Sequence, residues 1–294
     1  MQYGASHPDE LVTRAAELGM TRIGLTDRDG LYGAVRFANA CSQVGVAPII
    51  GASLAVVPDG WTPARRPAAV KGGALRDHRL PRVTLWATSR AGWGQLCALI
   101  SAAHAADRGT PRVTLERIAE HVAGGDVVVG LGADSPVGRL LLDARFDDAV
   151  DEIRRWRYAL AGGLTVAMTN HHTPGRGIAS AHQAAGLVRA AEQAGVPVVA
   201  TNMVRMARPE QAATCDVLDA ARRRVPLRAG NIDRVNAEGY LKGEQEMRRA
   251  VDEVARLAGA NTAALLAATE TLAERCTLSP QRDIGLGEVR LPEP

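Results

Sequence analysis

The chain has 294 residues, with 35 basic and 32 acidic side chains and a formal charge of +3, and 46% of it is hydrophobic at a mean hydropathy of −0.07. That length and apolar content suit one sizeable core, while so small a basic excess is far below what a self-sufficient phosphate-binding surface usually shows, so nucleic-acid contact is permitted but not implied. No run of about eighteen apolar residues and no charged-then-apolar leader occurs, so the expectation is a cytoplasmic protein with no membrane span.

His7-Pro8-Asp9-Glu10-Leu11 opens the first predicted helix, with Pro8 in the first turn, Asp9 and Glu10 at its positive end, and Leu11, Ala15 and Leu18 on one face. Strand 23–26, helix 33–44 and strand 48–56 follow, the last an almost unbroken apolar run of the kind buried on both sides of a parallel sheet. Residues 58–81 turn to Pro, Gly and Arg and read as a mobile surface insertion. Order returns with strand 83–88, helix 93–106, a short helix 115–122 and strand 127–131. Helices 137–142 and 147–160, strand 164–168, helix 178–194 and strand 197–201 continue the alternation of a β/α barrel or wound sheet. The rhythm then stops. Helices 209–222, 244–257 and 261–274 follow one another without strands. The expected organisation is a β/α barrel over 1–207, a helical cap or connector over 208–277 and an extended tail over 278–294.

Cys41, Cys97, Cys215 and Cys276 are widely separated and form no Cys-x-x-Cys pair, which predicts reduced structural thiols. The most informative stretch is the strand end Thr26-Asp27-Arg28-Asp29-Gly30, running at once into the helical pattern from Leu31. Clustered carboxylates at such a strand end suit a metal. Arg28 does not, because a guanidinium stays protonated and offers no lone pair.

Three blocks, Tyr3-Gly4-Ala5-Ser6-His7-Pro8-Asp9-Glu10-Leu11-Val12, Ala15-Ala16-Glu17-Leu18-Gly19-Met20 and Gly24-Leu25-Thr26-Asp27-Arg28-Asp29-Gly30-Leu31-Tyr32-Gly33, resemble the PHP domain that opens bacterial C-family polymerase alpha subunits, nearest to the error-prone branch. Ile49-Ile50-Gly51-Ala52, Gly94-Gln95-Leu96-Cys97, Gly195-Val196-Pro197-Val198-Val199-Ala200-Thr201-Asn202 and Gly243-Glu244-Gln245-Glu246-Met247 agree in the same order. The resemblance implies an α/β fold of PHP type, a distorted seven-stranded barrel that in active relatives holds three metals through His, Asp, Glu and Cys and hydrolyses phosphoesters. It also implies a setting in DNA replication, repair and DNA-damage bypass, with the polymerase domains of the family expected after Pro294.

Departures from the family pattern carry the functional expectation. A His-x-His strand expected before Gly4 is missing, so the barrel is expected to be incomplete at its first strand. The family's Thr-Asp-His-Asp becomes Thr26-Asp27-Arg28-Asp29, the Glu of its Gly-x-Glu becomes Ser53, and its Asp-x-His after Asn202 becomes Met203-Val204-Arg205. Near Asp134, where relatives carry Cys or His, neither occurs. The vestigial cleft is therefore Asp27, Arg28, Asp29, Ser53, Asn202, Met203 and Arg205, with no catalytic residue, no metal and no cofactor expected.

Plain structural roles compete with chemical ones at each candidate. Asp27 and Asp29 read as turn caps or partners of Arg28. His171 and His172, being adjacent, point to opposite sides of an extended chain and cannot share one ion. His104 and His182 read as ordinary helix residues, and Arg222-Arg223-Arg224 as a basic complement to a helix end rather than a DNA contact. The leading expectation is a non-catalytic PHP module of error-prone polymerase lineage, whose partners are a polymerase body or mutasome-type repair proteins, with DNA contact weak or indirect. The alternative is a stand-alone PHP phosphoesterase that regroups Asp27, Asp29, Asp134, His171 and His172 around Zn, Mn or Mg.

Overall fold

The computed structural model describes residues 3–58, 61, 80–106, 111–122, 124–160, 162–223, 225–228 and 234–287. The chain runs α1 (Pro8–Glu17), β1 (Arg22–Arg28), α2 (Ala34–Val44), β2 (Ala47–Val56), β3 (Arg82–Ala87), α3 (Arg90–Ala106), β4 (Arg112–Val113), α4 (Leu115–His121), β5 (Val127–Leu131), α5 (Pro136–Leu142), α6 (Phe146–Leu160), β6 (Leu164–Met168), α7 (Ala181–Ala194) and β7 (Val198–Ala200). A 3-10 turn (Pro209–Gln211) then leads into α8 (Ala212–Arg223), α9 (Glu244–Ala258) and α10 (Thr262–Arg275). Most of the inserted stretch expected over 58–81, like the tail from residue 288 on, lies outside the described residues. Among the described residues no helix is long and apolar enough to cross a membrane.

Helix boundaries follow local chemistry. Ser135 and Ser180 accept from the N–H groups of Gly138 and Gln183, and Asn261 accepts from Ala264, so α5, α7 and α10 each start one residue after a side-chain cap. Gly45, Gly195 and Gly259 end α2, α7 and α9 in the left-handed conformation that costs glycine least.

The strands form one sheet in the order β1-β2-β3-β5-β6-β7, with β4 added to the end of β2. Pairings are parallel except at β3, which is antiparallel to both β2 and β5. The result is a distorted α/β barrel, mixed rather than parallel throughout. Residues 52, 54 and 56 of β2 pack into the main core, and Ile50 into a second one under α1 and α2 with Phe37, Ala38 and Cys41. Burial on both faces explains why β2 reads as an unbroken apolar run even though one of its neighbours runs the other way. The main core gathers β3, β5 and β6 with Leu96, Leu99, Ile153, Trp156 and Leu187 from the helical layer, and Val251, Val254 and Leu265 of α9 and α10 join it.

Among the described residues β1 and β7 do not pair with each other, so the barrel stays open between them. Alternation in β7 sends the Pro197 carbonyl and the Thr201 N–H to β6, leaving Ala200 directed at the free edge. There the Ala200 N–H donates to Thr269 Oγ1 at 2.8 Å, and on the far side of the gap Glu270 and Glu274 accept from Arg22 of β1 at 2.7 and 3.4 Å. Beyond α10, Thr277 bridges Ile49 and the Leu278 N–H donates to Pro48 O at 3.0 Å. A helix thus covers the edge that an open barrel would otherwise expose.

Candidate functional site at the barrel mouth

The carboxyl ends of β1, β2, β5, β6 and β7 lie at one end of the sheet, where β/α barrels collect their working side chains. The reversed strand β3 brings its first residue, Arg82, to the same end. Strand β1 continues through Asp27 and Arg28, two residues further than its apolar run. Asp27 therefore shares the face of Leu25 and turns toward the helical layer, where Oδ2 accepts from the Gly33 N–H at 2.6 Å. Burial pushes its carboxyl above the ordinary carboxylate range, against the opposing pull of that N–H. Asp27 caps the entry to α2, one of the two roles its sequence context allows.

Asp29 has φ of 57°, an unusual backbone for a residue with a side chain. Its N–H donates to Ser53 O at 2.9 Å, its carbonyl accepts from His104 Nε2 at 2.7 Å, and Oδ1 pairs with Arg82 Nη2 at 2.6 Å. Arg28 lies further off, with Nε 3.8 Å from Asp29 Oδ2. The ion-pair partner expected at Arg28 is thus chiefly Arg82, and His104, expected to be an ordinary helix residue, braces the tip. Arg82 Nε also donates to Ser53 Oγ at 3.0 Å, and Nη2 donates to the Ser53 carbonyl. Burial lowers the basicity of Arg82, and Asp29 opposes this while Arg28 adds to it. Sequence reasoning missed Arg82. Its one signal was an arginine immediately before an apolar strand.

On the other side of the opening, Arg205 forms a bidentate pair with Asp219 of α8 at 2.9 and 2.8 Å. The side chains are 14% and 2% exposed. Burial, the largest single influence, would make Arg205 less basic, but the bond and charge of Asp219 together with Tyr3 and Cys215 outweigh it and the guanidinium ends above its ordinary value. Nε and Nη2 of Arg205 also donate to the Tyr3 carbonyl at 3.2 and 2.8 Å. Asn202 is buried, with Nδ2 donating to the carbonyls of Glu238 and Tyr240 at 3.1 and 2.6 Å and Oδ1 accepting from Lys242 Nζ at 3.3 Å. Lys242, 2% exposed, is paired with Glu238 Oε2 at 3.0 Å and lies 4.4 Å from the Tyr240 ring, and burial lowers its basicity. Met203 has φ of 42° and is 45% exposed.

The remaining candidates disperse. His171 Nε2 donates to Asn202 O at 2.7 Å, and burial keeps this imidazole less basic than usual. His172, with φ of 50°, donates through Nδ1 to Glu253 of α9 at 2.8 Å. The two rings have separate partners. Asp134 Oδ1 accepts from Arg139 Nε and Nη2 at 3.2 and 2.8 Å, and burial raises its pKa against that pull. Among the described residues no three His, Cys, Asp or Glu side chains converge as ion ligands. All four cysteines are free, and burial pushes the thiols of Cys41 and Cys276 up to about 12.

The PHP domain model matches residues 1–171, which include β1, β2 and the Thr-Asp-x-Asp tip. The chain belongs to the PHP domain family. Among curated proteins this PHP chain is 32% identical over 282 residues to an error-prone DNA polymerase of Mycolicibacterium paratuberculosis, covering 93% of this chain and 23% of that one. It is 34% identical over 250 residues to an error-prone DNA polymerase of Anaeromyxobacter dehalogenans, covering 84% of this chain and 19% of the relative. The PHP chain thus spans about a fifth of the length of these relatives. Among solved structures, an amidohydrolase from Chromobacterium violaceum superposes with a TM-score of 0.43 at 13% identity, covering 68% of this chain and 82% of that one.

Proposed function

We infer that this chain serves as a metal-free, non-catalytic PHP module of error-prone polymerase lineage, active in DNA replication and damage repair by holding structure and meeting partners in the cytoplasm. The observation that carries this reading is the commitment of three carboxylates around the mouth to protein cations, Asp29 to Arg82, Asp134 to Arg139 and Asp219 to Arg205, with Asp27 taken up by the Gly33 N–H. A divalent ion would have to displace a guanidinium from each of the three, and Arg28 stands where a donor atom would be needed. The donor set does not fit such an ion. The plausible partners are a polymerase body or repair proteins of the same lineage, with DNA reached through them. Catalysis of nucleotidyl transfer calls for carboxylates holding two metal ions over a template, and this reading gives that task to a polymerase body.

Metal analysis of the purified chain together with a phosphoester cleavage assay tests the reading. The expected result is neither stoichiometric Zn, Mn or Mg nor cleavage of a chromogenic phosphomonoester or phosphodiester. Stoichiometric metal with cleavage abolished by Asp27→Ala would establish the phosphoesterase alternative instead.

A further inference from the structure

Residues 3–6 cross the open mouth and are fastened mainly to one segment. The Ala5 N–H donates to Arg205 O at 2.6 Å, and Ser6 Oγ accepts from the Ala207 N–H at 2.9 Å and donates to Gln211 Oε1 at 2.7 Å. The Tyr3 ring at the end of this strap has the guanidinium carbons of Arg205, Arg28 and Arg222 at 4.0, 5.1 and 5.6 Å from its centroid. They come from three elements, the β7 exit, the end of β1 and α8. Each has a carboxylate within reach, Asp219 for Arg205 and Arg222 and, at 3.8 Å, Asp29 for Arg28, and Arg205 also donates through Nε and Nη2 to the Tyr3 carbonyl of the strap.

Guanidiniums favour the faces of electron-rich rings and bind planar anions. All three guanidiniums lie over the one phenol ring, and a phenol brings no anionic group of its own to them. We propose that Tyr3 is the built-in occupant of a three-guanidinium site, that residues 3–6 are a displaceable strap over it, and that the site takes a planar aromatic ligand bearing an anionic group. An intramolecular occupant competes with any such ligand and lowers its apparent affinity. Removing the ring leaves a ring-sized space, and such spaces admit ligands of matching shape.

The test is made on the full chain with phenyl phosphate as the probe, in wild type, Tyr3→Phe, Tyr3→Ala and Tyr3→Leu. Calorimetry is expected to show Tyr3→Ala binding phenyl phosphate at least about tenfold more tightly than wild type or Tyr3→Phe, and more tightly than it binds phenol or inorganic phosphate. Hydrogen exchange at Ala5 and Ala207 is expected to speed up in both Tyr3→Ala and Tyr3→Leu, with Val129 and Val166 remaining protected. Equal affinity in wild type and Tyr3→Ala, or equal affinity of Tyr3→Ala for phenyl phosphate and inorganic phosphate, overturns the proposal. So does loss of protection at Val129 and Val166, which would make Tyr3 part of the core. None of these readouts involves a metal, so they stand apart from the test of the metal-free reading.

Discussion

The mouth is held by cations the chain itself supplies. Arg205 and Asp219 are both nearly enclosed, and removing one member of such a pair strands the other's charge. Asp219→Ala is expected to destabilise the protein by about 3–5 kcal/mol, read as a lowered urea midpoint at unchanged slope. Glu246 gives the pH counterpart. The Tyr240 hydroxyl donates to its Oε1 at 2.6 Å, and this bond is the chief cause holding its carboxyl below the ordinary 4.5. A carboxylate so lowered adds stability that is in place above its unfolded value and vanishes as pH falls through the folded one. Glu246→Gln is expected to cost about 1 kcal/mol at neutral pH, and its stability curve should rejoin that of wild type in acid. Thermal melts across the acid range would register this, and a constant offset at every pH would refute it. At this scale the sequence was partly legible. The cap made by Asp27 follows from a short carboxylate just ahead of a helix, whereas the Asp29 partner lies 53 residues away on Arg82 and no local pattern points to it.

Elements were easier to read than their pairings. Apolar runs located β1, β2, β3, β5, β6 and β7, since strand burial writes itself into composition. Direction does not: β3 runs antiparallel to both its neighbours, and the tract between β2 and β3, rich in Pro and Gly, gave no sign of this. Strand β4 has two residues, too few for any periodicity. Nor does helix α10 announce its task, because it meets β7 and β1 through Thr269, Glu270 and Glu274, residue types that read as solvent-facing. Thr269→Val keeps the shape and removes the acceptor of the Ala200 N–H. An edge N–H left without a partner costs about 1–3 kcal/mol, and size-exclusion chromatography is expected to show more self-association than in wild type. An unchanged melt and elution profile would mean the edge is protected by other means.

For the molecule as a whole, the barrel is open in its strands and closed by its helices. Deleting α10 removes Leu265 from the main core along with the cover of β7 and the partners of Arg22. A chain ending at Ala258 is expected to lose its cooperative melt and to aggregate, and a monomer with a sharp transition would show that α10 is dispensable.

The Arg22–Glu270 contact joins residues 248 positions apart, and this long closure bears on timing. During synthesis the outer flank of β1 must wait for a further 248 residues to leave the ribosome before its cover arrives. In that interval the nascent barrel offers a bare edge to any extended segment nearby. The arrival of α10 is therefore the step that commits this barrel to its own fold instead of to a neighbour's.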